Sequence, residues 1–235
     1  MIARKIVLLL GFLCLCLSSV AQETPDFESL LCASKEAYTP NKAFQMELSY
    51  SIYRASNMGK VHETHAGLYA QNDQGHVYNK MGTVELVKVD SEVLQINHEE
   101  KSIVYTIQEE PLAQTPLDMQ DYAYFFEEVI VEKEGDGWKC TLTRPKPIDN
   151  LPYEKVELFF DKQQRSYKQA LYPLEVIDFG STGVNRLERS VLIIEIQPLQ
   201  PLEDTRLFKL DQYIKKTNTA VKAAASLNTY QFIQV

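Results

Sequence analysis

The residues with chemistry to offer are four histidines, two cysteines beyond the opening apolar run, and several paired glutamates. His62 and His65 stand three apart, a spacing that unites them on a helix but sends them to opposite faces of a strand. Their segment reads as a strand, so they are poor joint metal ligands. His76 and His98 read as surface or turn histidines, and no cysteine or carboxylate cluster falls at ligand spacing. No metal and no cofactor is therefore expected. Glycine is scarce, and neither a phosphate-cradling loop nor a dinucleotide fingerprint occurs. There is no Gly-x-Ser-x-Gly elbow. Cys32 or Cys140 would act as a nucleophile only in a polarising environment that the sequence does not display. Glu109-Glu110 and Glu127-Glu128 read as solvated faces or helix ends. The expectation is a protein that is not an enzyme.

The first twenty-one residues read as a cleavable secretory signal. Arg4 and Lys5 form a positive start, Ile6 to Leu17 is apolar, and Ser18-Ser19-Val20-Ala21 supplies small residues before Gln22. The apolar run is short for a bilayer span and lacks a stop-transfer flank. Leu13 and Leu15 precede Cys14 and Cys16, where lipid attachment would need a small residue. Export to the periplasm is the expectation, with secretion further out left open. Loss of Arg4 and Lys5 takes the formal net charge from −8 to −10. So acidic a chain has no electrostatic reason to bind nucleic acid or an anionic membrane. In an oxidising compartment Cys32 and Cys140 are either bridged across a long loop or two small buried hydrophobes.

The remainder, 22–235, reads as one domain with ample length for a core. Pro25 and Asp26 open a helix whose Phe27, Leu30, Leu31, Ala37 and Tyr38 share a face, and Pro40 stops it. The period then drops from 3.6 to 2. Phe44, Met46, Leu48, Tyr50 and Ile52 alternate with polar partners, and a turn is expected at Asn57-Met58-Gly59-Lys60. Short strands follow through Gln71, at His76–Tyr78, Val84–Val89, Val93–Asn97 and Ser102–Ile107. Turns this tight make antiparallel meanders. A second helix is expected over Leu117–Glu128, then hairpins at Val129–Thr143 and Val156–Val176. Val191-Leu192-Ile193-Ile194 is apolar enough for a strand covered on both faces. An Ala-rich stretch of helical aspect and a last strand, Thr229–Val235, close the chain.

The fold class expected is mainly β (α+β): a curved antiparallel sheet of roughly ten strands forming an incomplete barrel, with two short helices as its lid. Thirteen tyrosines and ten phenylalanines suit such packing, and an amphipathic cavity as well. Strand parity nominates Met46, Leu48, Tyr50 and Ile52 for the inner, ligand-lining face. Leu68, Leu94, Ile96 and Tyr105 would continue it, and Val156, Leu158, Phe160, Leu192 and Ile194 would complete it.

The order of features resembles the LolA/LolB-like superfamily of periplasmic lipoprotein carriers. The resemblance runs from the opening helix through Gly59-Lys60, Gly67-Leu68-Tyr69 and His76-Val77-Tyr78 to Val89-Asp90-Ser91-Glu92-Val93-Leu94 and Lys101–Tyr105. It continues with Leu158-Phe159-Phe160-Asp161, Ile177–Thr182, Val191–Ile196, Pro201-Leu202-Glu203-Asp204 and Leu207-Phe208. The chain departs from the family at Gln71-Asn72-Asp73-Gln74, where the carriers commonly have an Arg-Pro pair, and at Asp90-Ser91, which lacks the usual glycine. The resemblance implies an incomplete β-barrel lidded by helices over an apolar cavity. It implies binding of an acyl chain, lipid or lipoprotein, with a releasing transporter and an outer-membrane acceptor as partners. The other expectation is an envelope interaction module with a filled core, docking through a sheet edge such as 229–235.

Overall fold

A computed structural model describes residues 24–38, 43–108, 124–145, 152–180, 186–217 and 220–235. The expected signal segment lies outside these residues, as does most of the expected helix at 117–128. The opening helix, α1, spans Phe27–Ala37. The Asp26 carboxylate caps it by accepting from Ser29 N at 2.7 Å, which satisfies one of the donors a helix start leaves unpaired. Phe27, Leu30, Leu31 and Ser34 form its buried stripe.

Strands β1 (Phe44–Arg54), β2 (Asn57–Gln71), β3 (Val77–Met81), β4 (Val84–Val89), β5 (Glu92–Asn97) and β6 (Ser102–Ile107) follow as an antiparallel meander. The β1–β2 turn falls at Ala55-Ser56, because Asn57 already pairs with Arg54 and the strand continues through Gly59. Asp90 takes a φ of 53° in the β4–β5 turn, so an aspartate fills the left-handed position for which glycine is the easier choice. Then come β7 (Phe126–Glu134), β8 (Gly137–Pro145), β9 (Tyr153–Phe160), β10 (Ser166–Pro173), β11 (Val176–Asp178) and β12 (Leu187–Ile196). Phe126 to Glu128, expected as the end of a helix, are strand: they open the hairpin that pairs Phe126 with Pro145. Among the described residues α1 is the one element long enough to serve as a lid.

The closing segment, here the tail, is β13 (Gln200–Pro201), two 3-10 turns over Thr205–Phe208 and Leu210–Gln212, and β14 (Ile214–Lys216). It goes on with β15 (Val221–Ala223), a 3-10 turn at Ala225–Leu227 and β16 (Gln231–Gln234). The Ala-rich stretch is thus a small hairpin and a turn, not an α-helix. Strand order in the main sheet is β16-β6-β5-β4-β3-β2-β1-β12-β10-β9-β8-β7, with β11 and β13 attached to β12 and β1. It is one large curved sheet, not closed into a barrel. All its pairings are antiparallel except β16 with β6.

Register decides which side chains share a face, because directly opposed residues point the same way. Met46 opposes Tyr69, Tyr69 opposes Asn79, Asn79 opposes Leu86, Leu86 opposes Gln95 and Gln95 opposes Val104. In the other direction Leu48 opposes Ile196, Tyr50 opposes Ile194, and Gln169 links Ile194 to Leu158. This is the helix face, since α1 packs on it. The other is the tail face: Glu47 opposes Leu68, Ala70 opposes Tyr78, Tyr78 opposes Val87, Val87 opposes Leu94 and Leu94 opposes Tyr105. The sheet therefore has a large core on each side, and a smaller cluster of Phe159, Ala170 and Val191 on the face away from α1.

Candidate functional site

The helix-face core joins Phe27, Leu30, Leu31 and Tyr38 of α1 and its C-cap to Met46, Leu48 and Tyr50 of β1. It also includes Cys140, Leu142, Val156, Leu158, Phe160, Leu171, Ile194 and Ile196. Leu30, Met46, Leu142, Val156 and Leu158 are all 0% exposed, so with α1 seated this interior is filled by its own side chains. Burial pushes the Tyr38 and Tyr50 hydroxyls up to about 12. Two hydrogen bonds fix the end of the helix: Tyr38 Oη donates to the Ser166 carbonyl at 2.5 Å, and Ser166 N donates to Ser34 Oγ at 3.1 Å. The apolar stripe carries the packing of α1 on the sheet.

Beside that end of α1 opens a cavity of about 450 Å³. Its walls include Ala37, Tyr38, Tyr167, Ile196 and Leu199, with Arg165, Asp161 and Glu195 at the polar side. Arg165 and Asp161 pair at 2.7 Å. The mouth is thus amphipathic, and it borders the buried stripe through Tyr38 and Ile196. The helix face also continues beyond α1. Its core reaches Val77 on β3; farther along, Val84, Leu86 and Val104 are half-buried and Met81 is 44% exposed.

The tail face is built differently. Leu94, Ile96, Ile103 and Tyr105 pack with Phe208 and Ile214 of the tail, around a polar node at Glu85. This buried carboxylate accepts from His98 Nε2 at 3.0 Å and from Tyr213 Oη at 3.0 Å, and Lys80 Nζ lies 3.4 Å away. Burial works to raise its pKa, but hydrogen bonds from Tyr213 and His98 and the Lys80 charge prevail and hold it below the usual value. Tyr230 Oη and His98 Nδ1 are 2.8 Å apart. Glu92 accepts from Tyr105 at 2.6 Å and pairs with Lys216.

The nominated lining therefore divides. Met46, Leu48, Tyr50, Val156, Leu158, Phe160 and Ile194 meet in the helix-face core, with Leu192 packed against it and Ile52 half-buried on the same face opposite Leu192. Leu68, Leu94, Ile96 and Tyr105 lie on the opposite face, beneath or beside the tail. Sequence reasoning missed Tyr69, Trp138, Leu142 and Leu171, which also belong to the first group; Leu142 and Leu171 could have been found by extending the parity of their strands. Cys32 is exposed, Cys140 is buried, and both are free thiols. Burial pushes the Cys140 thiol up to about 12, which makes it a poor nucleophile.

The histidines also separate. His65 pairs with Glu63 at 2.9 Å, while His62 meets the Phe179 ring edge-on. His76 lies 3.2 Å from Asp90. Among the described residues no three His, Cys, Asp or Glu side chains converge as metal ligands, and no helix is long and apolar enough to cross a membrane.

No family model matches the chain, and no curated protein matches it in sequence. Solved structures do. A LolA superfamily protein from Nitrosomonas europaea is similar over 77% of this chain and 96% of its own, at 11% identity and a TM-score of 0.36. An uncharacterized conserved protein from Thermus thermophilus is similar over 88% and 98%, at 8% identity and a TM-score of 0.47. A putative outer membrane lipoprotein-sorting protein domain from Vibrio parahaemolyticus is similar over 78% and 98%, at 10% identity and a TM-score of 0.37. The likeness is one of fold.

Proposed function

We propose that this protein is an exported, non-enzymatic carrier that shelters an acyl chain, lipid or lipoprotein on the helix face of its sheet, with 22–235 as the working unit in the periplasm. The observation that carries the reading is the construction of α1. It is a short amphipathic cover over a largely apolar surface, fixed at its C-terminal end by two hydrogen bonds and bordered there by an amphipathic mouth.

Magnitudes favour an exchange of cover for ligand. Each large apolar side chain that α1 buries contributes about 1.5–3 kcal/mol, so Phe27, Leu30 and Leu31 together contribute roughly 5–9 kcal/mol. An acyl chain contributes about 0.8 kcal/mol per buried methylene, so about a dozen methylenes offset the loss of the helix. Entry begins at the mouth, where the chain slides between Tyr38 and Ile196 and α1 lifts. The Arg165 side of the mouth suits a polar head left in water. Release requires only that the helix compete again, at a membrane or at an acceptor protein. Signal-like residues 1–21 support the compartment.

One observation favours the second reading, an envelope interaction module with a filled core: the side chains beneath α1 already exclude a ligand when the helix is seated. Native mass spectrometry of protein recovered from the cell envelope separates the two. A co-purifying lipid or acylated protein supports the carrier. A stoichiometric protein partner with no lipid replaces it with the module.

A further inference from the structure

The β1–β2 hairpin carries a second cleft, which shares no lining residue with the mouth beside α1. It encloses about 320 Å³ and is lined by Arg54, Asn57, Lys60, Val61 and His62. In a chain of formal net charge −8, a cleft lined by two cations and a histidine, with no lining carboxylate, reverses the prevailing sign.

The basic groups are held in place. Phe179, only 4% exposed, is their common platform. Its carbonyl accepts from Arg54 Nη2 at 2.9 Å, and the guanidinium lies over its ring at 5.0 Å from the centroid. The His62 ring meets the same ring edge-on, with centroids 4.7 Å apart and planes at 80°. A guanidinium has five N–H donors, so the bond to Phe179 leaves others for a ligand. Lys60 has no ion-pair partner among the described residues. The nearby acids are engaged elsewhere. Glu188 accepts from Ser56 N at 2.8 Å, though its charge also acts on Arg54. Glu63 pairs with His65, and Asp178 accepts from Gly180 N and Arg186 N at 2.7 and 2.8 Å.

We infer that this cleft binds a phosphate group, either free or as the head of a phospholipid. An arginine fork beside a lysine point charge is the pairing that tetrahedral phosphate oxygens accept best. Because Phe179 already orders Arg54 and His62, binding immobilises little more than Lys60. Met58 and Val61, exposed at 40% and 41% on the same hairpin, offer the apolar contact that a lipid would use and a free phosphate would not. The site is independent of the carrier reading, since α1 has no part in it.

The test has two arms. Isothermal titration with inorganic phosphate and with sn-glycerol 3-phosphate examines the free group. Co-sedimentation with phosphatidylcholine vesicles, with and without phosphatidylglycerol, examines the headgroup. Saturable binding in at least one arm is expected, weakened on the order of tenfold by Lys60→Gln and falling as salt rises. Lys60 is exposed, so that variant keeps the native circular dichroism spectrum. Binding of the soluble phosphates assigns the free group. Binding to phosphatidylglycerol vesicles alone assigns the lipid. Absence of saturable binding in both arms, or binding that Lys60→Gln leaves unchanged, overturns the inference.

Discussion

The two halves of the sheet solve one problem in opposite ways. Strands β7–β10, with β1 and β12, bury the helix face under α1, an eleven-residue cover attached through side-chain packing and two hydrogen bonds at one end. Strands β2–β6 bury the tail face under a segment that crosses it with turns and a hairpin and then joins the sheet as β16. The first cover rests chiefly on apolar packing, and the proposed carrier role requires that it lift. The second is riveted by polar contacts, Glu85 to Tyr213, Glu92 to Lys216 and His98 to Tyr230. Apolar packing has no preferred partner, so under the proposed carrier reading an acyl chain would take the place of α1. Hydrogen bonds to a buried carboxylate do have one, so the tail should stay when the helix leaves.

The largest effect that sharpens this contrast comes from the helix itself. Leu30→Ala should cost about 2–5 kcal/mol of unfolding free energy in denaturant titration, because Leu30 is wholly buried. If α1 is separable, much of that loss should appear as local opening of 27–37 in hydrogen exchange, with the tail still protected. Next, Glu85→Gln should cost about 1.5–3 kcal/mol, the range for charge-assisted hydrogen bonds. Here the exchange pattern should invert, with 205–234 opening and α1 unchanged. Tyr38→Phe removes the bond to the Ser166 carbonyl and should cost about 1 kcal/mol, again with exchange confined to α1.

A pH titration gives a smaller but directional effect. The folded-state pKa of Glu85 lies below its ordinary value of 4.5. Its contribution is therefore complete above that value and is lost as pH falls through the folded pKa. Thermal midpoints measured downward from pH 5 should fall less steeply in Glu85→Gln than in the parent. Equal slopes would mean that the tail is not held by this carboxylate.

Much of this architecture was legible because local rules were obeyed. Pro25 and Asp26 with apolar residues at 3.6 spacing gave α1 its bounds, and alternation from Phe44 to Ile52 gave β1 its inner face. What stayed hidden was the relation between strands. Alternation along β5 marks Leu94 and Ile96 as buried, but burial on which side depends on cross-strand register. Gly67-Leu68-Tyr69-Ala70 has no polar residue to break the tie. Leu68 was the reasonable choice for the inner face, yet Met46 opposes Tyr69. A protein with one core would have forgiven that parity argument; one with a core on each face does not. The basic cleft was hidden for the same reason, since Phe179 lies far from Arg54 and His62 in sequence and meets them only through the pairing of β11 with β12 and β12 with β1.

Hydrogen exchange of the protein, with and without a saturating long-chain acyl ligand, tests the central claim most directly. The account predicts that binding strips protection from 27–37, preserves it in the tail at 205–234, and increases it along β1 and β9. Saturable binding with α1 still protected, or with the tail released in its place, would contradict the account, and so would the absence of saturable binding.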